Sequence, residues 1–113
     1  MRYIFVIPAA ILISSSVTFA AEGKGIRFWN LTSSTIVNFQ LSPAGQNSWG
    51  KNQCENDRDL SVDPDERLRI TDIASGSFDA KLVADSGKQC FAHGVTVETG
   101  KIFSLEEKDI TCP

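Results

Sequence analysis

Apolar and polar residues alternate through most of the second half of this chain, and a period of two is typical of β-strands with one buried face. Between Ser77 and Leu105 the alternation predicts three consecutive antiparallel strands, a C-terminal meander. Ser86-Gly87 supplies the first turn, because glycine readily adopts positive φ, and residues 98–101 supply the second. A meander buries its apolar face only against a second layer, which the preceding chain is expected to provide.

Shorter runs upstream favour the same kind of element. Ile26–Leu31 is rich in β-forming residues and is expected to pair with 36–42 as a hairpin around Thr32-Ser33-Ser34. Further strands are expected at 59–62 and 66–73, and no window of helical length has a 3.6-residue apolar period. The sequence therefore predicts an all-β fold, a small antiparallel β-sandwich or flattened barrel of about seven strands.

The N-terminus has the layout of an export signal. Arg2 provides a positive charge, an apolar stretch follows, and Thr18-Phe19-Ala20 matches the small-residue pattern before a cleavage site. The stretch is shorter than the roughly 20 residues of a membrane-spanning helix, although a retained anchor is the alternative. We expect 1–20 to be a signal peptide and 21–113 to be a single β-sandwich domain, periplasmic or secreted, with no membrane insertion after signal removal.

Charge and composition narrow the classes of partner. After loss of Arg2, residues 21–113 carry 10 basic and 14 acidic side chains, a net charge of −4. This acidic balance argues against nucleic acid and anionic membrane surfaces as partners. A domain of this size also has a thin margin of stability, to which a disulfide would contribute.

Three cysteines, Cys54, Cys90 and Cys112, lie in the expected domain, and two of three usually pair in an exported protein. Extending the register of the second predicted hairpin brings the C-terminal tail alongside the strand that carries Cys90. Cys90–Cys112 is therefore the favoured disulfide, with Cys54–Cys112 as the alternative. No cofactor or metal site is expected, because no CxxC spacing occurs and His93 is the single histidine.

Alternate acidic and hydroxyl residues resemble the ligand positions of a calcium loop. They are Asp57, Asp59, Ser61, Asp63 and Asp65. The glycine and glutamate that such a loop needs at its sixth and twelfth positions are replaced by Val62 and Leu68. Alternate charges are also typical of a solvated strand edge, and we prefer this interpretation.

Trp49 is the strongest candidate for recognition, because it lies in a polar loop. Its neighbours there include three amides, Asn47, Asn52 and Gln53. Aromatic and amide side chains together provide contact area and adaptable hydrogen bonds. The other interpretation, which we prefer, is that Trp49 folds back to cap one end of the sandwich core. Trp29 and Phe39 lie on predicted strands and are expected in the core.

Short motifs spread over nearly all of residues 21–113 carry a resemblance. They are Asn30-Leu31-Thr32, Ser42-Pro43-Ala44-Gly45, Trp49-Gly50-Lys51-Asn52, Val62-Asp63-Pro64-Asp65-Glu66, Phe78-Asp79 and Asp85-Ser86-Gly87-Lys88. In this order they resemble a recurrent type of small exported bacterial β-domain protein without an assigned function. The resemblance implies export and a β fold but no activity, and the cysteine positions depart from it.

The sequence contains no evident catalytic set, cofactor motif or basic patch. We therefore expect a non-enzymatic binding module of the periplasm or cell envelope that uses its loops to contact a protein or an envelope component. An inhibitor of an exported hydrolase is the specific form of this hypothesis. The alternative is a small secreted hydrolase or toxin in which His93 serves as the base.

Overall fold

The computed structural model describes residues 25–113, which form a β-sandwich of two three-stranded sheets. The strands within this range are β1 (Ile26–Leu31), β2 (Ile36–Pro43), β3 (Arg67–Ile70), β4 (Gly76–Ala84), β5 (Gln89–Val97) and β6 (Ile102–Glu106). This part of the chain also contains two short 3-10 helices, Gln53–Asn56 and Glu107–Asp109. The all-β sandwich is confirmed, and the cleavage site expected after Ala20 lies outside the described residues. None of the helices in 25–113 has the length and apolar character required to cross a bilayer.

Sheet one has the strand order β3-β1-β6, and sheet two has the order β2-β4-β5. Alternate residues of each sheet meet in one core, whose centre is formed by Phe28 of β1 and Phe39 of β2. Both side chains are fully buried, and their rings stack at 4.1 Å between centroids. Phe39 is therefore a core residue as expected, and the stacking joins the two sheets through a pair of aromatic rings.

The hairpin expected between the first two strands is wrong, because β1 and β2 belong to different sheets. The buried side chain of Asn30 fixes the crossing between them. Its Nδ2 donates to the carbonyls of Ser34 and Val62 at 2.9 and 3.1 Å. Its Oδ1 accepts from the backbone N–H and the hydroxyl of Thr32 at 3.0 and 2.7 Å. These bonds hold the chain over the end of the sandwich, so β2 begins in the opposite layer.

The third strand of the expected meander also changes sheet. The turn at residues 98–101 forms, with Lys101 N donating to Glu98 O at 3.1 Å, but β6 then pairs in parallel with β1. One pair in the sandwich is thus parallel. In this position Phe103 packs 5.5 Å from Phe28, between ring centroids, and β1 gains a neighbour on each side. Two strands alone would give sheet one little stability.

The Cys90–Cys112 disulfide is confirmed, although the chain reaches it by another route than the expected meander. After β6 the tail returns to sheet two, where Phe91 and Thr111 exchange backbone hydrogen bonds of 2.8 Å. Cys54 is a free thiol in the core, and burial raises its pKa to about 12. The disulfide is compatible with export, since such bonds persist in oxidising compartments.

The acidic stretch that resembles a calcium loop is tied to its own domain. Asp63 Oδ1 accepts from the Thr35 hydroxyl at 2.9 Å, and Asp65 Oδ1 accepts from the indole N–H of Trp29 at 3.0 Å. The strand expected at 59–62 is reduced to one bridge, between Val62 and Ile36. Across residues 25–113, no three His, Cys, Asp or Glu side chains converge as metal ligands would.

Candidate functional site: the face around Trp49

The loop from residue 44 to residue 50 folds across the outer face of sheet two. Its backbone bends at Gly45 and Asn47, which have φ values of 78° and 49°. Backbone N–H groups along the loop bind the strands beneath. Those of Gly45, Ser48 and Gly50 donate to Asp79 Oδ2, Ser42 Oγ and Leu41 O at 2.9, 2.8 and 2.9 Å. The loop therefore has a fixed path, and the motif Ser42-Pro43-Ala44-Gly45 provides its first turn.

This path places the indole of Trp49 over two side chains of sheet two. The centroid of its ring system lies 6.1 Å from the Phe91 ring centroid and 5.4 Å from Lys81 Nζ. Lys81 and Phe91 lie opposite each other on β4 and β5, on the side that faces away from the core. Trp49 is half-buried on this outer face and lies outside the core cluster, so the preferred interpretation, that it caps one end of the core, is wrong.

The three amides expected beside Trp49 are not presented together. Asn47 is exposed at the tip of the loop. Asn52 Oδ1 accepts from the N–H groups of Phe39 and Cys54, both at 3.0 Å, and caps the first 3-10 helix. Gln53 is only 2% exposed. It exchanges two bonds with the backbone of Thr71 at 2.9 and 3.0 Å.

Asn52 and Gln53 therefore hold the segment between β2 and β3 in place, and the accessible part of the predicted site consists of Trp49 and Asn47. Local sequence does not separate these roles, because all three amides stand in one polar stretch. One sequence signal could have identified Asn52 as a cap: an Asn side chain often accepts a hydrogen bond from the backbone N–H two residues later, which here belongs to Cys54.

Asp79 connects this loop to β5, and sequence reasoning did not select it. It is 6% exposed and accepts bonds from the backbone N–H of Gly45 and, at 3.2 Å, of Gly94. His93 Nδ1 approaches Asp79 Oδ1 at 3.3 Å. The N–H of Gly45 contributes most to holding the pKa of Asp79 below its ordinary value, and Gly94 and His93 add to the effect. Asp79 is therefore a carboxylate that links three chain segments.

A β-bulge brings His93 to this carboxylate. Phe78 pairs with Val95 and Ala80 pairs with Ala92, so Asp79 alone faces both His93 and Gly94. Gly94 has a φ of 68°, which suits the extra residue of a bulge. The imidazole of His93 remains largely exposed and borders a cleft of about 280 Å³ between the edges of β5 and β6.

Trp29, expected in the core, lies instead on the outer face of sheet one. Neighbouring residues of a strand point to opposite faces, and Phe28 occupies the inward position. The guanidinium carbon of Arg67 lies 4.4 Å from the centre of the Trp29 ring system. The two tryptophans are thus half-buried on opposite outer faces of the sandwich.

Neither a protein-family model, nor a curated protein, nor a solved structure matches this chain.

Proposed function

We propose that the chain is an exported, non-enzymatic binding module of the periplasm or cell envelope that contacts a protein or envelope component through the Trp49 face. This face comprises Trp49, Asn47, Lys81 and Phe91. One observation carries the proposal: an aromatic side chain is held in a defined position on the surface by a loop whose backbone is hydrogen-bonded to the sheet. Tryptophan is enriched among residues that dominate binding energy.

The fixed path of the loop supports strong binding by this face. Association costs about 0.5–1.5 kcal/mol for each flexible side chain that becomes ordered, and a loop ordered beforehand avoids part of that cost. Asn47 at the tip adds an exposed amide that can both donate and accept hydrogen bonds. The face therefore combines area, polar contacts and rigidity.

An inhibitor of an exported hydrolase is the specific form of this proposal. The loop lies on the outer face of a sheet with its tip exposed, and such a pre-ordered surface loop suits contact with the rim of an active-site cleft. Complexes of hydrolases with inhibitors typically form with little backbone movement. The disulfide that holds the neighbouring tail would also suit persistence outside the cytoplasm.

The test is capture from envelope extract with the mature protein, followed by titration of the purified partner against Trp49→Ala. We expect a loss of about 2 kcal/mol or more in binding, roughly 30-fold in Kd, with the variant still folded. Leu60→Ala is the matched control, because Leu60 is an exposed apolar side chain elsewhere on the surface. Unchanged affinity of folded Trp49→Ala, or equal losses in both variants, would contradict the proposal.

A secreted hydrolase that uses His93 is the second candidate, and the contact between His93 and Asp79 favours it. A buried carboxylate at Nδ1 is the arrangement that orients a histidine as a general base, with Nε2 left to accept the proton. If this candidate is correct, His93→Ala will abolish hydrolysis of an envelope substrate, while its free energy of unfolding stays within about 1 kcal/mol of the wild-type value. A folded His93→Ala protein with its full biological effect would exclude it.

A further inference from the structure

The outer face of sheet one carries a block of basic and apolar side chains that the proposed function does not use. Strand register arranges them in two rows across β3, β1 and β6. The first row holds Arg69, Arg27 and Ile102, and the second holds Arg67, Trp29 and Ser104. We call these six residues the arginine face. Ile102 is 46% exposed, and the three arginines are exposed as well.

The arginine face is an unusual concentration of positive charge for this protein. The chain has a formal net charge of −3, yet three of its five arginines lie in this one block. Arg27 and Arg69 are direct cross-strand partners, and like charges in that position destabilise a sheet. Among residues 25–113, the ion pairs shorter than 4 Å involve lysine or histidine, so no carboxylate of this range forms such a pair with the three arginines.

Two members of the face are already ordered. Trp29 Nε1 donates to Asp65 Oδ1 and O at 3.0 and 3.3 Å, which fixes the indole. Arg67 stacks on that indole, while Arg27, Arg69 and Gly25 line an open depression of about 400 Å³ beside it together with Arg67. A ligand with negative charge would thus meet a fixed aromatic surface and three guanidinium groups.

We propose that the arginine face binds an extended acidic segment of a partner protein, with carboxylates on alternate residues. Arg67 and Arg69 are two residues apart on β3, a distance of about 6.7 Å, which is also the repeat of alternate side chains in an extended partner. Each guanidinium can bind a carboxylate through two parallel hydrogen bonds. Trp29 and Ile102 offer apolar surface that a peptide can contact and a small inorganic anion cannot.

The composition of the face supports a protein partner as its occupant. Tryptophan and arginine are the residues most enriched in binding hot spots, and opposite charge speeds and orients association. The face lies on the sheet opposite to the Trp49 face, so this proposal stands independently of the proposed function. A module with both faces occupied would hold two molecules on opposite sides.

The experiment measures fluorescence anisotropy of a short labelled peptide that alternates glutamate with threonine, titrated with the mature, disulfide-bonded protein. A peptide with glutamine in place of glutamate is the matched probe. We expect the acidic peptide to bind and the glutamine peptide to fail. Arg27→Glu and Arg69→Glu should each weaken binding at least about tenfold, because each leaves a carboxylate without its partner and adds repulsion.

Arg58→Glu is the matched control variant, since it makes the same change of charge at an exposed arginine outside the face. It should leave the affinity within about twofold of the wild type, and all variants are first checked for folding by chemical denaturation. Equal losses in Arg58→Glu and Arg69→Glu would overturn the proposal in favour of general electrostatics. Tripolyphosphate binding as tight as that of the peptide and indifferent to Trp29→Ala would also overturn it, as would the absence of binding by the acidic peptide.

Discussion

The two outer faces of this sandwich carry one half-buried tryptophan each, yet they are built in opposite ways. On sheet two, a loop bound through its backbone places Trp49 over Phe91 and Lys81. On sheet one, Trp29 belongs to the strand itself and stands beside exposed arginines whose register brings like charges together. The first face depends on a folded loop, whereas the second depends on strand pairing and on the bond between Trp29 and Asp65.

This difference predicts which perturbations should affect each face. The Trp49 face rests on Asp79 and on β5, which the C-terminal tail braces next to the disulfide. The arginine face rests on β1, β3 and β6, whose pairing involves neither of these supports directly. Changes that weaken the loop-covered face should therefore leave binding by the arginine face intact in the folded protein.

The largest expected effect comes from the disulfide. Replacing both Cys90 and Cys112 by serine should lower the free energy of unfolding by about 3 kcal/mol, because the bond closes a loop of 22 residues in the unfolded chain. Chemical denaturation of both proteins, with and without reductant, measures the loss. Reductant should shift the wild type and leave the double variant unchanged. An unshifted wild type would show that the tail is held without the bond.

Asp79→Asn should lower the free energy of unfolding by about 2 kcal/mol, because a neutral amide is a weaker acceptor for the N–H groups of Gly45 and Gly94. The effect should depend on pH. Since the pKa of Asp79 is lowered by folding, its contribution is present above the ordinary aspartate value near 3.9 and is lost as pH falls through the folded value.

Unfolding midpoints measured from neutral pH down to acid test this assignment. The difference between wild type and Asp79→Asn should shrink as the solution becomes acidic below about pH 4. Asp59→Asn is the control, because Asp59 is an exposed aspartate and should change the midpoint little at any of these pH values. If the difference in midpoint between wild type and Asp79→Asn stays constant down to strong acid, protonation of Asp79 does not contribute to the loss of stability in acid.

The two tryptophans provide a direct comparison of stability. Trp29→Ala should cost about 2 kcal/mol, because it removes an indole hydrogen bond to Asp65 together with the stacking of Arg67. Trp49→Ala should cost about 1 kcal/mol, because Trp49 packs on a surface ring outside the core. Denaturation curves decide between this order and its reverse; a loss of about 3–5 kcal/mol in Trp49→Ala would assign it to the core.

The smallest expected change is a gain. Arg69→Glu should stabilise the fold by about 0.5 kcal/mol, since it replaces a like-charge cross-strand pair with Arg27 by an opposite pair. The same variant should lose the acidic peptide, so stability and binding would move in opposite directions. Thermal denaturation at low salt measures the gain. A lowered midpoint would mean that the methylene groups of Arg69 stabilise the sheet by packing on it.

Sequence alone was sufficient for the local features of this protein. The period-two pattern determined β4 and β5, and Ser86-Gly87 determined the turn between them, because each depends on neighbouring residues and on the freedom of Gly87 at a φ of 95°. Cysteine number and the expectation of export predicted a disulfide, and Cys90–Cys112 is the pair observed. The short motifs that carry the resemblance include turn and capping residues such as Asn30, Gly45 and Asn52.

Tertiary structure decided which sheet each strand joined and which side chains remained accessible. Alternation shows that a strand has two faces, but in the run Phe28-Trp29 it does not show which of two apolar neighbours faces inward. The pairing of β6 with β1, the burial of Gln53 and the bonds of Asp79 all join residues distant in sequence. Such contacts form because both sheets share one core, and that shared core is a property of the whole chain rather than of any segment.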